Sequence, residues 1–421
     1  MHKKMIQAIK DDAIPILETS DLNSLIDVLN DEKYVLLGES SHGTSEFYKV
    51  RAEISKKLIV DKGFTFLAVE GDWPACQQLN RYIKGYIQKE TNLLKMLRSF
   101  NRWPTWMWAN EELIDFIEWL KEYNQKQSDD QKVGFYGIDV YSLWESMEEI
   151  IKYLEKIHSP NLAAAKKAFS CFEPFNRRAE KYGVAASFYG EGCHDEVIQL
   201  LTDISINKHM YLDSEENSLN LEVNALITAN AENYYRTMVV NDNESWNIRD
   251  RHMVEVINKI SNFYQNKAKG IIWEHNTHVG DARATDMADE GMVNVGQILR
   301  EQQGNDDIFI VGFGTHRGTV IAADEWGVNF ERMIVPPAQA GSWEDLMHKA
   351  GPHDKLLIFT QKNRPIFNRR IGHRAIGVVY HPMHEQYGNY VPSLLPKRYD
   401  AFVFINSTNA LSPLEVETVF L

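Results

Sequence analysis

Cysteine is scarce in this 421-residue chain, with only Cys76, Cys171 and Cys193. Their odd number and the lack of C-x-x-C spacing exclude a disulfide-built scaffold and a zinc ribbon, and favour a reducing compartment. Long apolar runs are missing too: none approaches the roughly 18 residues that cross a bilayer. The opening MHKKMIQAIKDDAI carries lysines but not the apolar stretch of a secretory signal. Positive charge is in deficit, 45 Lys+Arg against 59 Asp+Glu for a formal charge of −14. That balance argues against nucleic acid, which is held chiefly through its phosphates. There is no G-x-S-x-G elbow, no P-loop, and no G-x-G-x-x-G after a first strand. A cytoplasmic globular protein without membrane or nucleic-acid partners is the expectation, long enough to bury a large core.

Eight short apolar runs stand against longer helical stretches: Tyr34–Glu39, Phe64–Asp72, Val133–Asp139, Gly270–Asn276, Ile308–His316, Lys355–Thr360, Ala375–His381 and Ala401–Asn406. They are continuous rather than alternating, as in strands buried on both faces. The predicted class is α/β, a mostly parallel sheet flanked by helices. Its core takes in residues 30–74, 132–140 and 269–421. Two insertions, 75–131 and 141–268, read as helical and broken by loops such as KIHSPN and DSEENS. We expect one continuous body, with these helices forming a lobe over the C-terminal ends of the strands.

Several runs end on reactive groups: Glu39, Glu70 and Asp72, Asp139, His275 and Asn276, Thr315 and His316. Open α/β sheets bind ligands beyond the carboxyl ends of their strands, so one shared site is preferred over ordinary polar turns. In GESSHG, Gly38–Gly43, a glutamate three residues before a histidine can take its N–H and fix the tautomer. Arg51, on the helix that follows, is either a snorkelling arginine or a guanidinium aimed at Glu39 or Glu70. In WEHNTHVGDAR, Trp273–Arg283, His275 and His278 lack the helical spacing of zinc peptidases, and nothing there specifies a metal. The cluster Trp103, Trp106, Trp108 reads equally as helix packing or as a cleft wall. Ser40 and Ser41 adjoin His42, but neighbouring positions rarely give nucleophile–base geometry. Carboxylates and histidines that activate a water fit better.

Taken together, GESSHGTSEFYKVRAEISKKLI, FLAVEGDWP, GIDV and WEHNTHVGDAR resemble the erythromycin esterase family, in order and spacing, from about residue 30 to the C-terminal region. The resemblance implies an α/β core related to haem-binding ChaN-like proteins, and a hydrolase of macrolactone esters that needs neither metal nor cofactor. Carried over by motif, His42 is the general base, Glu39 and Glu70 orient base and water, Arg51 holds the carboxylates, and His275 shares the site. His278, Asp72, Asp139, Trp106, Asn276, Arg283 and His316 are the candidates for contacts with a small ester or macrolide-like substrate. Two other readings stay open. One is a metal-dependent hydrolase with a divalent ion among His42, Glu39, Glu70 and His275. The other is a protein that binds a metabolite, haem or saccharide in the same cleft without turnover.

Overall fold

The computed structural model describes residues 2–87, 92–207 and 216–416. Its strands are β1 (Ile14–Pro15), β2 (Tyr34–Leu37), β3 (Phe66–Val69), β4 (Gly134–Gly137), β5 (Gly270–Trp273), β6 (Ile308–Ala322), β7 (Glu331–Val335), β8 (Lys355–Ile358), β9 (Arg370–Arg374), β10 (Tyr390–Leu394) and β11 (Ala401–Thr408). The fold is α/β with a mostly parallel central sheet and many helices. Every residue of β2, β3 and β5 is buried, which is why these runs are apolar without alternation.

Contacts divide the chain into two compact units, the first holding residues 1–67, 92–133 and 269–420 and the second 68–91 and 134–268. Segment 92–133, expected within an insertion, is counted with the first unit, and the division falls inside β3. In the first unit the strands run in the order β1, β8, β11, β6, β2, β5. β2 is parallel to both β5 and β6, with Leu37 opposite Trp273 and Val311. β11 is parallel to β6, whereas β8 and the edge strand β7 are antiparallel to their neighbours. This register sets Gly38–Glu39 and Glu274–His275, where the chain leaves β2 and β5, beside Gly312–Phe313 within β6.

One expected strand is corrected. Ala375–His381 makes only isolated bridges, Ser41 to Ile376 and Ala323 to Val379, while β9, just before it, pairs with β10 in a separate hairpin. The run is apolar because Ile376 and Tyr380 pack into the core, not because it belongs to a ladder.

The second unit is mainly helical, with long helices Leu143–Lys156, Asn217–Met238 and Asp242–Tyr264. Trp144, Met147, Phe172, Tyr182 and Tyr235 lie in its core. Inside this unit β3 and β4 meet at their ends, the Ile138 amide donating to the Val69 carbonyl at 3.0 Å. Cys171 and Cys193 form a disulfide here, and Cys76 is buried and free. The first half of the expected DSEENS loop lies outside the described residues. No helix among the described residues is long and apolar enough to cross a membrane.

Candidate active site

The turn after β2 is fixed from many sides. The Gly38 amide donates to the Val311 carbonyl at 2.9 Å, the Ile376 amide to Ser40 at 2.8 Å, and the Ile321 and Leu411 amides to Gly43 at 3.0 Å each. A Cβ at Gly43 would sit 1.9 Å from the Ile321 carbonyl oxygen, so only glycine permits this approach. Helix Ser45–Lys62 starts at once and stops at Gly63, whose φ of 69° is left-handed. Arg51 lies two turns along it and is buried.

On this support three side chains lock together. The His42 ring donates from Nδ1 to Glu39 Oε1 at 2.9 Å, because a carboxylate can only accept. Arg51 Nη2 donates to Glu39 Oε2 at 2.5 Å. The Arg51 guanidinium carbon is 4.6 Å from the Tyr48 ring centre and 4.8 Å from that of Trp273, a cation held between two aromatic rings. Trp273 is itself fixed by its indole N–H to Ser55 Oγ at 3.0 Å. With Nδ1 protonated, the neutral His42 ring carries its lone pair on Nε2.

His275, at the end of β5, lies with its ring centre 4.9 Å from that of His42. Its Nδ1 accepts the Thr277 amide at 3.3 Å and lies 2.8 Å from Thr277 Oγ1. An accepting Nδ1 puts the proton of the neutral ring on Nε2, the reverse of His42. These contacts suit opposite neutral tautomers in the two adjacent imidazoles, one able to take a proton and the other able to donate a hydrogen bond.

The erythromycin esterase family model matches residues 59–408. The chain belongs to the erythromycin esterase family. Its similarity to the Escherichia coli "Erythromycin esterase type II" is 32% identity over 120 residues, 28% of this chain and 26% of that protein. The match to "Putative hydrolase YbfO" of Bacillus subtilis (strain 168) is 21% identical over 91% of this chain and 86% of that protein. Among solved structures, a Bacillus cereus protein matches at a TM-score of 0.81, with 19% identity over 99% of this chain and 100% of that one. A succinoglycan biosynthesis protein matches at 0.76, with 20% identity over 98% of each chain. A mutant of the erythromycin esterase EreC in its open conformation matches at 0.69, with 14% identity, 96% of this chain and 97% of that one. These three likenesses establish the shared fold.

The remaining candidates of this family member fall in several places. Glu70 and Asp139 belong to the second unit, where both are held by Arg249. Its Nε and Nη2 donate to the two Asp139 oxygens at 2.9 and 2.7 Å, and Nη2 also donates to Glu70 Oε1 at 2.7 Å. Burial would lower the Arg249 pKa, but Asp139, Tyr141 and Glu70 outweigh it and raise it well above the usual value. Asp72, half-buried, stands just before helix Trp73–Ile83. His278 is buried on the short turn Asn276–Val279.

Four expected substrate contacts have other surroundings. Trp106 is fully buried between Trp103 and Phe330, ring centres 5.5 and 5.3 Å away, so it is core packing. Asn276 is fully buried with its amide turned inward to Phe313 and His373. Arg283 is half-exposed and paired with Asp281 and Glu301. His316 stacks flat on His348 at 3.8 Å, where burial first, then His348 and two arginines, push its pKa down to about 4.

Tyr48, Trp273, Thr277 and Arg249 escaped sequence reasoning. Tyr48 sits one turn before Arg51 and was findable from helical spacing. Arg249 lies within a polar helix, more than a hundred residues from its partners, with no local signal. Among the described residues no three His, Cys, Asp or Glu side chains converge as a metal-holding group.

Proposed function

We propose that this protein hydrolyses an ester, with a macrolactone or similar bulky lactone as the preferred class. His42 Nε2 takes a proton from water as the water attacks the ester carbonyl, and Glu39 stabilises the resulting imidazolium through Nδ1. The carbonyl oxygen becomes an oxyanion, to which His275 Nε2–H donates. On collapse of the tetrahedral intermediate the C–O bond breaks, and His42 returns the proton to the leaving alkoxide. The observation that carries the reading is the His42 ring held at Nδ1 by Glu39, with the His275 ring centre 4.9 Å from its own and His275 Nδ1 accepting the Thr277 amide. Arg51 holds the Glu39 carboxylate aimed at His42 through its bond to Oε2, without touching the substrate. General-base help of this kind gives about 10²–10⁴-fold, and one oxyanion donor about 10²–10³-fold.

Family membership and the names of two relatives, a type II erythromycin esterase and EreC, support an ester as the target. The test is incubation with erythromycin and a panel of lactones and simple esters, scoring addition of one water by mass spectrometry. Product from wild type but not from His42→Ala is expected. Equal behaviour of the two proteins on every ester would overturn the mechanism. Saturable binding without product would favour the non-catalytic reading.

A further inference from the structure

Behind the two histidines runs a buried chain of polar groups that the mechanism above does not use. Asn276, the residue after His275, is fully buried. Its side-chain N–H groups go to the Phe313 carbonyl at 2.6 Å and His373 Nε2 at 3.2 Å, while Oδ1 accepts the Phe313 amide at 3.2 Å. Its own backbone amide donates to the Glu39 carbonyl at 2.8 Å, and its carbonyl accepts Arg398 Nη2 at 3.0 Å. One asparagine thus joins the ends of β2 and β5 to the interior of β6. The fit is close: a Cβ on Gly38 would lie 2.1 Å from Asn276 Oδ1.

The Phe313 amide and carbonyl set which way that asparagine faces, and His373 and Glu344 reinforce it. His373 Nδ1 donates to Glu344 Oε1 at 2.5 Å, and the same oxygen accepts the Arg374 amide at 3.0 Å. Burial would raise the Glu344 carboxyl, but His373 and Arg374 hold it below the usual range. The Asn276 amide nitrogen faces His373 Nε2, so Nε2 accepts and the ring is neutral; burial lowers its pKa in the same sense, against the pull of Glu344. A carboxylate at Nδ1 leaves the lone pair on Nε2, which requires the N–H end of Asn276 rather than its oxygen. All three side chains are fully buried, and their polar contacts interlock in one orientation only.

We propose that Glu344, His373 and Asn276 form a positioning relay for the catalytic pair, in which a carboxylate on the helix Trp343–Lys349 and a histidine on β9 set the register of Glu39 and His275. None of the three touches substrate. The relay acts through the backbone on both sides of the reaction: the Glu39 carbonyl beside the orienter of His42, and the peptide joining His275 to Asn276. It gives the β9–β10 hairpin, which lies outside the sheet, a role in hydrolysis. It rests on the reading of His42 and His275 as the working pair.

The test uses the full chain with ¹⁵N-histidine, reading ring-nitrogen resonances by NMR, which requires no substrate. Wild type is expected to show a protonated Nδ1 and bare Nε2 at His373. Asn276→Ala and Glu344→Gln are both expected to move the ring nitrogens of His275 and His42, with circular dichroism unchanged. On any ester that wild type cleaves and His42→Ala does not, Asn276→Ala should lose about 10–100-fold in kcat at little change in KM, the cost of about an ångström of misplacement. His373→Gln, which can still donate to Glu344 and accept from Asn276, should keep several-fold more activity than His373→Leu. Unmoved His275 and His42 resonances in both folded variants would overturn the relay. So would equal activities of His373→Gln and His373→Leu. Should no ester be cleaved by wild type, the hydrolase reading fails and the ring resonances alone decide the relay.

Discussion

Replacing Glu39 by glutamine tests the proposed chemistry most directly, because it changes one oxygen to nitrogen and leaves the volume alone. Arg51 offers only donors, so the glutamine oxygen must turn toward it, and the amide N–H then faces His42 Nδ1. That contact is favourable only if Nδ1 gives up its proton. The tautomer inverts, and the lone pair that takes a proton from water is lost from Nε2. The imidazolium also loses its counter-charge. At the observed 2.9 Å, Coulomb's law with an effective dielectric of about 20 gives roughly 6 kcal/mol as an upper limit, before Arg51 offsets part of it. Tautomer inversion of a catalytic histidine has cost about 10⁴-fold elsewhere. We therefore expect kcat/KM to fall about 10³–10⁴-fold, or about 4–5.5 kcal/mol at 1.36 kcal/mol per decade. The assay is steady-state cleavage of an ester that wild type turns over, with circular dichroism and a melting curve to verify folding. If Glu39→Gln retains a tenth or more of wild-type kcat/KM while His42→Ala is inactive, Glu39 does not set the tautomer of the base.

Four other outcomes are expected. Arg249→Leu leaves Glu70 and Asp139 without the guanidinium that bridges them, so urea unfolding should show a loss of about 3–5 kcal/mol; Arg249→Lys should recover less than half, lacking the two-pronged contact to Asp139. Gly43→Ala drives a methyl into the Ile321 carbonyl and should destabilise by at least about 2 kcal/mol, read as a lower melting temperature. His252, fully buried, is pushed by burial down to about pH 4. Because the folded ring resists protonation that the unfolded ring accepts, stability is intact above about pH 6.5 and is lost as pH falls toward 4. The loss is about 3 kcal/mol at most, and His252→Gln should flatten urea midpoints across that window. Finally, activity should survive dialysis against a chelator; loss restored by a divalent ion would replace the proposed mechanism with a metal-assisted one.

The legible part of the molecule was the part written in short-range pattern. Continuous apolar runs marked β2, β3 and β5 because both faces of those strands are covered. The contacts of Glu39 with His42 and Arg51 were readable because all three residues lie on one strand–turn–helix segment. Ala375–His381 misled, since burial without a partner strand produces the same apolar run as a ladder. Trp106 and Asn276 misled differently: side chains suited to a ligand also suit a buried network, and only packing separates the two. Arg249 was silent because its partners are distant in sequence, and no periodicity links a helix interior to a strand end.

The distribution of the catalytic pair along the chain has a consequence for its synthesis. Glu39 and His42 lie in the turn before helix Ser45–Lys62 and Arg51 within it, so all three are synthesised early. His275 and the β9 histidine behind it come much later, and β5 lies against β2 only once both have been made. A truncated chain would thus lack Val311, Ile321, Ile376 and Leu411, whose backbone fixes the turn that holds Glu39 and His42. Hydrolytic competence should appear abruptly at the end of translation, with closure of the sheet, rather than accumulate as the chain grows.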